Sequence, residues 1–233
     1  MNGLNFKGMQ KPISKAIVLL SGGQDSTTCL WWAKANFGKV IAVGFDYGQK
    51  HVLELEKGKV IAEIAEVPYK IFDLKGLLGG SSITDSGQDH SNAHSQNPDL
   101  PASFTAGRNA LFLTIAASYG HSLGIQNIIT GVCQTDYSGY PDCRKRFTDA
   151  TQVSLGLALD SDVQIHTPLM YLTKAETWKL AKDLGCLEVV RKYSLTDYNG
   201  SQVENEWGFG VEDNPATILR AKGYREAKEK GWV

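Results

Sequence analysis

The stretch that decides the fold is VLLSGGQDSTTCLWWA, residues 18–33. The run KAIVLL, at 15–20, predicts a buried strand, and TTCLWWAKA, at 27–35, predicts a helix with an apolar face. Between them lie two glycines, an amide, a carboxylate and hydroxyls, a set too specialised for a plain connector. A strand followed by a glycine-rich turn and a helix places backbone N–H groups at a helix N-terminus, which is a geometry that binds anions.

The residue types in this turn suit a phosphate ligand. Gly22 and Gly23 permit a tight turn and the close approach of a phosphate. Asp25 is explained if it helps to hold a divalent cation, because a carboxylate alone would repel phosphate. The spacing is neither that of a Walker P-loop nor GxGxxG. The competing interpretation is a plain helix start capped by Asp25 or Ser21. Hydroxyls that can donate to a phosphate are those of Ser21, Ser26 and Thr27.

Strand and helix patterns alternate along the rest of the chain. This alternation predicts an α/β fold with a parallel sheet and helices on both faces, and such sheets bind ligands beyond the carboxyl ends of their strands. Thr173 and Glu176 have the spacing of a capping box. The predicted strands are 15–20, 39–48, 69–74, 127–133 and 163–169, and the predicted helices are 26–36, 51–66, 106–124, 144–159 and 173–185. Residues expected at or just after strand ends are Ser21, Phe45, Gly131 and Pro168.

Composition excludes several classes of protein. A net charge of −1 argues against a large nucleic-acid interface, and no apolar run reaches the ~20 residues of a membrane helix. The four cysteines, Cys29, Cys133, Cys143 and Cys186, are far apart, which is typical of reduced thiols in the cytoplasm. Residues 79–103 are polar and are expected to form a long mobile loop, with His90 and His94 solvated rather than bound to a metal.

The turn SGGQDS, 21–26, resembles the SGGxDS pyrophosphate loop of the ATP-pyrophosphatase family, which includes GMP, asparagine and NAD synthetases. Four further motifs, FDYGQKH, AGRNALFL, TGVCQTDYSGYPDCR and TPLMYLTKAETW, follow in order at 45–51, 106–113, 130–144 and 167–178. Together the five motifs resemble the 7-cyano-7-deazaguanine synthases, the QueC family, over about residues 15–200.

This resemblance implies a Rossmann-like, adenine nucleotide alpha hydrolase-like domain. It spans 1–233, with a nucleotide-binding core over about 15–185 and a helical and loop appendage over about 186–233. The family adenylates the carboxylate of 7-carboxy-7-deazaguanine with ATP and Mg²⁺, and ammonia then yields the amide and, after a second activation, the nitrile. AMP is the favoured nucleotide product. The resemblance also implies a homodimer.

The nucleotide site implied by the resemblance centres on the turn. Lys174 lies in the first turn of a predicted helix, where the helix dipole disfavours a cation, so an anionic partner such as a triphosphate would explain it. A solvated lysine or an ion pair is the alternative. Arg108 is expected either to clamp phosphate or to form a salt bridge. The expected catalytic residues are Asp25, Arg108 and Lys174, with Asp25 as a Mg²⁺ contact. The expected ATP-binding residues are Ser21, Gly22, Gly23, Gln24, Asp25, Ser26, Phe45, Arg108 and Lys174.

A deazaguanine substrate requires stacking rings and groups that pair with its polar edge. Residues 136–144, DYSGYPDCR, supply tyrosines, carboxylates and an arginine, although a surface turn would have the same composition. His51 is expected either to assist proton transfer or to cap the next helix. The expected substrate-binding residues are Tyr47, Gln49, His51, Asn109, Asp136, Tyr137, Tyr140, Asp142 and Arg144.

The chain departs from the family at its structural zinc site. Four positions where the family has cysteines are Asp197, Val211, Asn214 and Thr217, and no histidine follows residue 166. Structural zinc sites take Cys or His ligands, so we predict that no zinc is bound. An apolar cluster is expected in its place, built on Trp207, Phe209 and a turn at Gly208 and Gly210.

This departure leaves the amine acceptor open. One interpretation keeps ammonia and the nitrile product. A second transfers the activated acyl group to a protein amine, as in a conjugating paralogue of an antiviral system. A third retains nucleotide binding without turnover and acts in regulation. Gln134 stands where the family commonly has glutamate, which leaves the handling of the nucleophile or substrate open.

Overall fold

The centre of the fold is a five-stranded parallel sheet with strand order β3-β2-β1-β6-β7. The computed structural model describes residues 14–49, 53–79, 81, 84, 93–94, 97–135, 139–197 and 199–233. The strands are β1 Lys15–Leu19, β2 Lys39–Asp46, β3 Tyr69–Asp73, β4 Ala93–His94, β5 Asn97–Pro101, β6 Asn127–Ile129, β7 Gln164–His166, β8 Glu204–Asn205 and β9 Gly208–Phe209. The helices are α1 Gln24–Asn36, α2 Leu53–Ile64, α3 Arg108–Ser122, α4 Lys145–Leu159, α5 Lys174–Asp183, α6 Leu187–Tyr193 and α7 Pro215–Glu229.

Helices cover both faces of the sheet, as the alternating pattern predicts. Successive residues of β1 point to opposite faces, so Val18 packs with Leu30 of α1 and Ile61 of α2 in one apolar cluster. Ile17 points the other way and packs with Leu113 of α3 in a second cluster. A strand buried on both faces requires a continuous apolar run, which is why KAIVLL shows no alternation.

The predicted strands and helices are present, and most of them are shorter than the sequence patterns suggested. The sixth and seventh strands of the chain cover three residues each. The capping box is present, since Thr173 Oγ1 accepts from Glu176 N at 3.3 Å and Thr173 N donates to Glu176 Oε2 at 2.8 Å.

The prediction of a loop throughout 79–103 is wrong for part of that segment. Strands β4 and β5 form an antiparallel pair, with Ala93 opposite Pro101. The ladder is made by backbone groups, so a polar segment without an apolar pattern can still form it. His90 and the side chain of His94 lie outside what the structure describes.

The C-terminal helices pack onto α5 in a third apolar cluster. Trp178 of α5 is fully buried and lies against Tyr224 of α7, with ring centroids 5.1 Å apart. Trp31 of α1 borders the same cluster. The C-terminal segment is therefore packed against the nucleotide-binding core through α5 and α1. Among the described helices, none is both long and apolar enough to cross a membrane.

Candidate active site

A cavity of about 600 Å³ opens at the carboxyl ends of β1, β2 and β6, beside the turn at 21–26. The strand order reverses at this point: from β1 the chain adds β2 and β3 on one side, and β6 and β7 lie on the other side. Open α/β sheets bind ligands at such a topological switch point. The predicted site residues that line the cavity are Ser21, Gly23, Gln24, Asp25, Ser26, Phe45, Tyr47, Gln49, Arg108, Asn109, Tyr140 and Lys174.

Gly22 shapes the turn without lining the cavity. Its φ of 95° lies in the left-handed region, and a Cβ at this position would stand 2.2 Å from the carbonyl oxygen of Glu54. Its own carbonyl accepts from Leu195 N at 3.0 Å. Glycine is therefore required here because the backbone of the turn lies against α2, whereas the sequence suggested that it is required because a phosphate lies close.

The start of α1 is not capped by Asp25. Gly23 is the N-cap residue and makes no side-chain cap. Ser21 Oγ accepts from Gly23 N at 3.3 Å, and the distant Thr196 Oγ1 accepts from Gln24 N at 3.2 Å. The side chain of Asp25 therefore does not cap the helix, and the N–H groups of Gly23 and Gln24 already have hydroxyl acceptors.

Asp25 and Lys174 form an ion pair inside the cavity. Lys174 Nζ lies 3.0 Å from Oδ1 and 2.9 Å from Oδ2 of Asp25, and the lysine side chain is only 9% exposed. Helix α7 confines the lysine, because a Cβ on Gly223 would stand 2.7 Å from both Cβ and Cγ of Lys174. Lys174 therefore lies beside the turn, where a bound triphosphate would place its charge.

Aromatic rings form one side of the cavity. Phe45 stacks on Phe112 with centroids 4.2 Å apart and an interplanar angle of 6°. The Arg108 guanidinium lies 6.0 Å from the ring of Tyr47 and 5.9 Å from the ring of Tyr140. Burial raises the pKa of Tyr47, so its hydroxyl stays neutral. Flat rings and a planar cation in this arrangement can hold a planar heterocycle.

Other predicted substrate residues have structural hydrogen bonds. Gln49 accepts from Tyr47 N at 3.0 Å and donates to Phe45 O at 3.3 Å, which supports the backbone after β2. Asn109 N donates to Asp142 Oδ2 at 3.1 Å, so this carboxylate holds the start of α3.

Asp142 and Arg144 do not line the cavity as the structure describes it. Their expected contacts with substrate stay predictions; Asp142 Oδ1 is buried and makes no hydrogen bond among the described residues. His51, Asp136 and Tyr137 lie outside the described residues.

Gln24 has a buried amide with no partner. Its side chain lines the cavity, the residue is 1% exposed, and neither Nε2 nor Oε1 makes a hydrogen bond among the described residues. Leaving such a group unpaired costs free energy, so the amide is a natural partner for a ligand group. Its predicted contact with ATP fits this placement.

Arg220 is a cavity residue that the sequence did not reveal. It is fully buried, and burial lowers the pKa of its guanidinium to about 10. Its hydrogen-bond acceptors are Val190 O at 3.0 Å, Ser194 Oγ at 3.0 Å, Thr196 Oγ1 at 2.9 Å and Trp207 O at 3.1 Å. All four acceptors are neutral, so the positive charge adds to the potential at the turn. A single arginine on an amphipathic helix gives no sequence signal of this role.

Glu54 is the second residue that sequence analysis missed. It lies in the first turn of α2 and lines the cavity. Desolvation raises the pKa of its carboxyl to about 7, and the charge of Arg108 opposes this only in part. In the sequence it is one of several acidic residues of a helical pattern, LELEKGK at 53–59, and only the tertiary structure distinguishes it.

The four positions expected to replace zinc ligands do come together, but as a hydrogen-bond network. Asp197 Oδ1 accepts from Asn199 N at 2.7 Å and Asn214 Nδ2 at 3.1 Å, and Oδ2 accepts from Val211 N at 3.1 Å. Asn214 Oδ1 accepts from Thr217 N at 3.2 Å and caps α7. One carboxylate with its oxygens already engaged, an amide, a hydroxyl and an aliphatic side chain do not fit zinc.

The expected apolar replacement is correct for Trp207 and wrong for Phe209. Trp207 is buried in the cluster of α5, α6 and α7, whereas the Phe209 ring lies under Lys57 Nζ at 4.8 Å. The described part of the chain contains no group of three or more His, Cys, Asp or Glu side chains that could hold a metal. That zinc is not bound stays a prediction.

Comparisons with known proteins agree with this geometry. The model of the family described as "Queuosine biosynthesis protein QueC" matches residues 15–228. A 7-cyano-7-deazaguanine synthase of Phocaeicola vulgatus is 49% identical over 93% of this chain and 95% of its own. One of Clostridium botulinum is 49% identical over 93% of this chain and 97% of its own.

A likeness of fold extends further. A 4-thiouridine synthetase, solved in complex with RNA and ATP, superposes with a TM-score of 0.50 at 16% identity, over 91% of this chain and 53% of that one. The parallel sheet, the glycine turn at its switch point and the family match over nearly the whole chain lead to one conclusion: the chain belongs to the QueC family.

Proposed function

We propose that this protein uses ATP to adenylate the carboxylate of 7-carboxy-7-deazaguanine and then forms the amide and the nitrile with ammonia. The observation that carries this proposal is the cavity at the turn, where Asp25, Lys174 and Arg108 lie next to a wall of aromatic rings. The names of the relatives, 7-cyano-7-deazaguanine synthases, supply the substrate class.

The phosphates of ATP fit the turn side of the cavity. Ser21, Gly23 and Ser26 of the turn line this side at the start of α1, and Lys174 supplies a positive charge. Asp25 would hold Mg²⁺, which neutralises phosphate charge when it is bound. Lys174 then exchanges its contact with Asp25 for one with the triphosphate. The fixed positive groups stabilise the charge that develops as the carboxylate attacks the α-phosphate.

The planar base fits the aromatic side. Tyr47 and Tyr140 flank the Arg108 guanidinium, so a flat bicyclic ring can lie against them with its carboxylate towards the arginine and the turn. Attack on the α-phosphate releases pyrophosphate, and displacement by ammonia releases AMP. AMP formation, rather than ADP formation, is part of the proposal.

The test is a reconstituted reaction. The protein is incubated with 7-carboxy-7-deazaguanine, ATP, Mg²⁺ and ammonium, and AMP, pyrophosphate and the product mass are followed by chromatography and mass spectrometry. We expect AMP release that depends on the deazaguanine, with a product mass of the amide and then of the nitrile. No AMP under these conditions would overturn the proposal.

The other two interpretations of the sequence gain no support from the described residues or from the relatives. Neither acyl transfer to a protein amine nor nucleotide binding without turnover is part of the proposal. The expected homodimer and the cytoplasmic location stay predictions.

A further inference from the structure

Two carboxylates line the cavity, and they stand in different environments. Asp25 is bound by Lys174 at 2.9 Å. Glu54, from the first turn of α2, makes no hydrogen bond or ion pair through its side chain among the described residues. A half-buried carboxylate without a partner costs free energy, and proteins keep such groups where a ligand or a proton transfer uses them.

Among the described residues, Arg108 of α3 is the cation that lowers the pKa of Glu54. Burial raises the pKa of Tyr69 on β3 and of Tyr47, and the charge of Glu54 adds to both shifts. The other charged or titratable groups that line the same cavity are Asp25, Cys133, Tyr140, Cys143, Lys174, Arg220 and Lys222. Within the described part of the chain no cation forms an ion pair with the carboxylate, which can therefore receive one from solution.

The proposed reaction brings such a cation into the cavity. Ammonia exists mainly as NH₄⁺ near pH 7, and NH₄⁺ has no lone pair with which to attack an acyl adenylate. A site that binds NH₄⁺ has to remove one proton from it, and a carboxylate that is not committed to another cation can do so. Asp25 pairs with Lys174 in the structure and, in the proposed function, holds Mg²⁺ instead.

We propose that Glu54 is the ammonium-binding group and general base of this site, and that it prepares NH₃ for attack on the adenylated carboxyl group. This inference rests on the proposed function and adds to it a residue for the amine step. Glu54 is half-buried at the cavity wall that also carries Arg108 and Tyr47, so the nitrogen it holds lies next to the aromatic side where the base fits.

The proton balance of the step is simple. The carboxylate of Glu54 takes one proton from NH₄⁺, and the lone pair of the resulting NH₃ forms a C–N bond to the acyl carbon. As the adduct collapses, the C–O bond to AMP breaks with its electron pair moving to the phosphate oxygen. One proton passes from the adduct nitrogen to that oxygen, which leaves a neutral amide and protonated AMP. Glu54 then returns its proton to solvent.

The position of Glu54 suits this exchange with solvent. Burial shifts its pKa to about 7, so the carboxyl group can accept and release a proton near neutral pH without a large cost in either direction. This shift supports an assignment that already stands on the unpaired carboxylate and its place in the cavity wall.

The test compares two amines on Glu54→Gln, with Glu56→Gln as the matched control. Glu56 lies on the same helix two residues away and is exposed to solvent. Adenylation is followed as deazaguanine-dependent exchange of pyrophosphate into ATP, which needs no amine. Amine transfer is then measured at pH 7 with ammonium, which must lose a proton, and with hydroxylamine, which is neutral at this pH.

We expect Glu54→Gln to keep pyrophosphate exchange and hydroxamate formation at the wild-type level. Its ammonium-dependent amide formation should fall about 100-fold, the usual contribution of a general base. The deficit should shrink as pH rises, because free NH₃ becomes more abundant in solution. Glu56→Gln should match the wild-type protein in all three assays.

Other outcomes overturn the inference in distinguishable ways. An equal loss with both amines, or loss of exchange, would show that Glu54 serves binding or structure. Unchanged amide formation would show that it is not needed. If the wild-type protein itself shows no exchange, the proposed function fails and the role of Glu54 fails with it.

Discussion

Two walls of the cavity contrast in how they are built. The first is the turn at 21–26 at the end of β1, whose chemistry lies in six consecutive residues. The second comprises Leu195, Thr196 and the first half of α7, and it has no motif for ligand binding. It is held by buried polar groups, of which Arg220 alone binds four acceptors. The first wall is made by the residue types of one short segment. The second wall is held in place by hydrogen bonds between residues that are far apart in the chain.

One hydroxyl joins the two walls. Thr196 Oγ1 accepts from Gln24 N at 3.2 Å and from Arg220 Nη1 at 2.9 Å. The start of α1 therefore receives its hydrogen-bond acceptor from a residue 172 positions away in the chain. The contrast predicts that substitutions in the first wall remove activity and leave the fold, whereas substitutions in the second lower stability.

The largest effect is expected at Lys174 of α5, which pairs with Asp25 of the first wall. Lys174→Met should lower deazaguanine-dependent pyrophosphate exchange by about 1,000-fold, because a fixed charge that stabilises the transition state is commonly worth this much. The free energy of unfolding should fall by no more than about 1–2 kcal/mol, since the Asp25 side chain, at 29% exposed, is partly open to solvent. Lys179→Met, at an exposed lysine paired with Asp183 on the same helix, is the control. Full exchange in Lys174→Met would remove the lysine from the mechanism.

The second wall should respond through stability. Arg220→Met deletes the donors of four buried hydrogen bonds and should lower the free energy of unfolding by about 3 kcal/mol, measured by urea denaturation. Arg225→Met, on the exposed side of α7 where Arg225 pairs with Glu212, should cost less than about 1 kcal/mol. Equal free energies of unfolding for the two variants would contradict the idea that the hydrogen bonds of Arg220 stabilise the second wall.

Glu54 of α2 lines the same cavity outside these two walls, and it should show a conflict between stability and function. Its pKa is raised from 4.5 to about 7 on folding, so the folded state binds the proton more tightly than the unfolded state does. The free energy of unfolding that this tighter proton binding contributes is fully present below pH 4.5 and is lost as pH rises to about 7.

Glu54→Gln, which stays neutral, should therefore be more stable than the wild-type protein at pH 8, by roughly 1–3 kcal/mol, and the gain should vanish near pH 4.5. Thermal or urea denaturation across this pH range measures it, with Glu56→Gln as the control. A gain that does not depend on pH would show that the carboxyl group is not desolvated.

The smallest effect is expected at the cap of α7 in the second wall. Asn214→Ala removes the acceptor for Thr217 N and one donor to Asp197, and it should cost about 1 kcal/mol of unfolding free energy. Asn36→Ala, whose exposed amide bonds only to Trp32 O, is the control. Chelators should leave the stability of the wild-type protein unchanged, because the network at Asp197 contains no zinc ligand set.

Sequence patterns identified the sheet and the first wall because both depend on neighbours in the chain. A buried parallel strand needs a continuous apolar run, as at 15–20, and an anion-binding turn needs small and polar residues between a strand and a helix. Lys174 was detectable for a similar reason, since a cation in the first turn of a helix is out of place.

The same reasoning failed where long-range packing decides. The β4–β5 ladder lies in a polar segment, because its hydrogen bonds are between backbone groups and leave no side-chain pattern. Asp142 gives one oxygen to Asn109 N at the start of α3, at 3.1 Å, a structural contact that no local pattern revealed, and its contact with substrate stays a prediction. Gly22 lies too close to α2 for any residue with a Cβ, which is a reason for glycine that the turn pattern did not reveal.

By itself, the sequence determined the alternating α/β architecture, the position of the glycine-rich turn and twelve of the residues that line the cavity. These follow from local periodicity and local geometry. Only the tertiary structure decided the surroundings of Arg220, Glu54 and the C-terminal segment. Among the residues that the structure describes, Arg220 and Glu54 both line the cavity without an ion-pair partner, and Asp197 and Asn214 hold the C-terminal segment by a hydrogen bond. Burial and pairing depend on residues brought together from distant parts of the chain, and no pattern among neighbours encodes them.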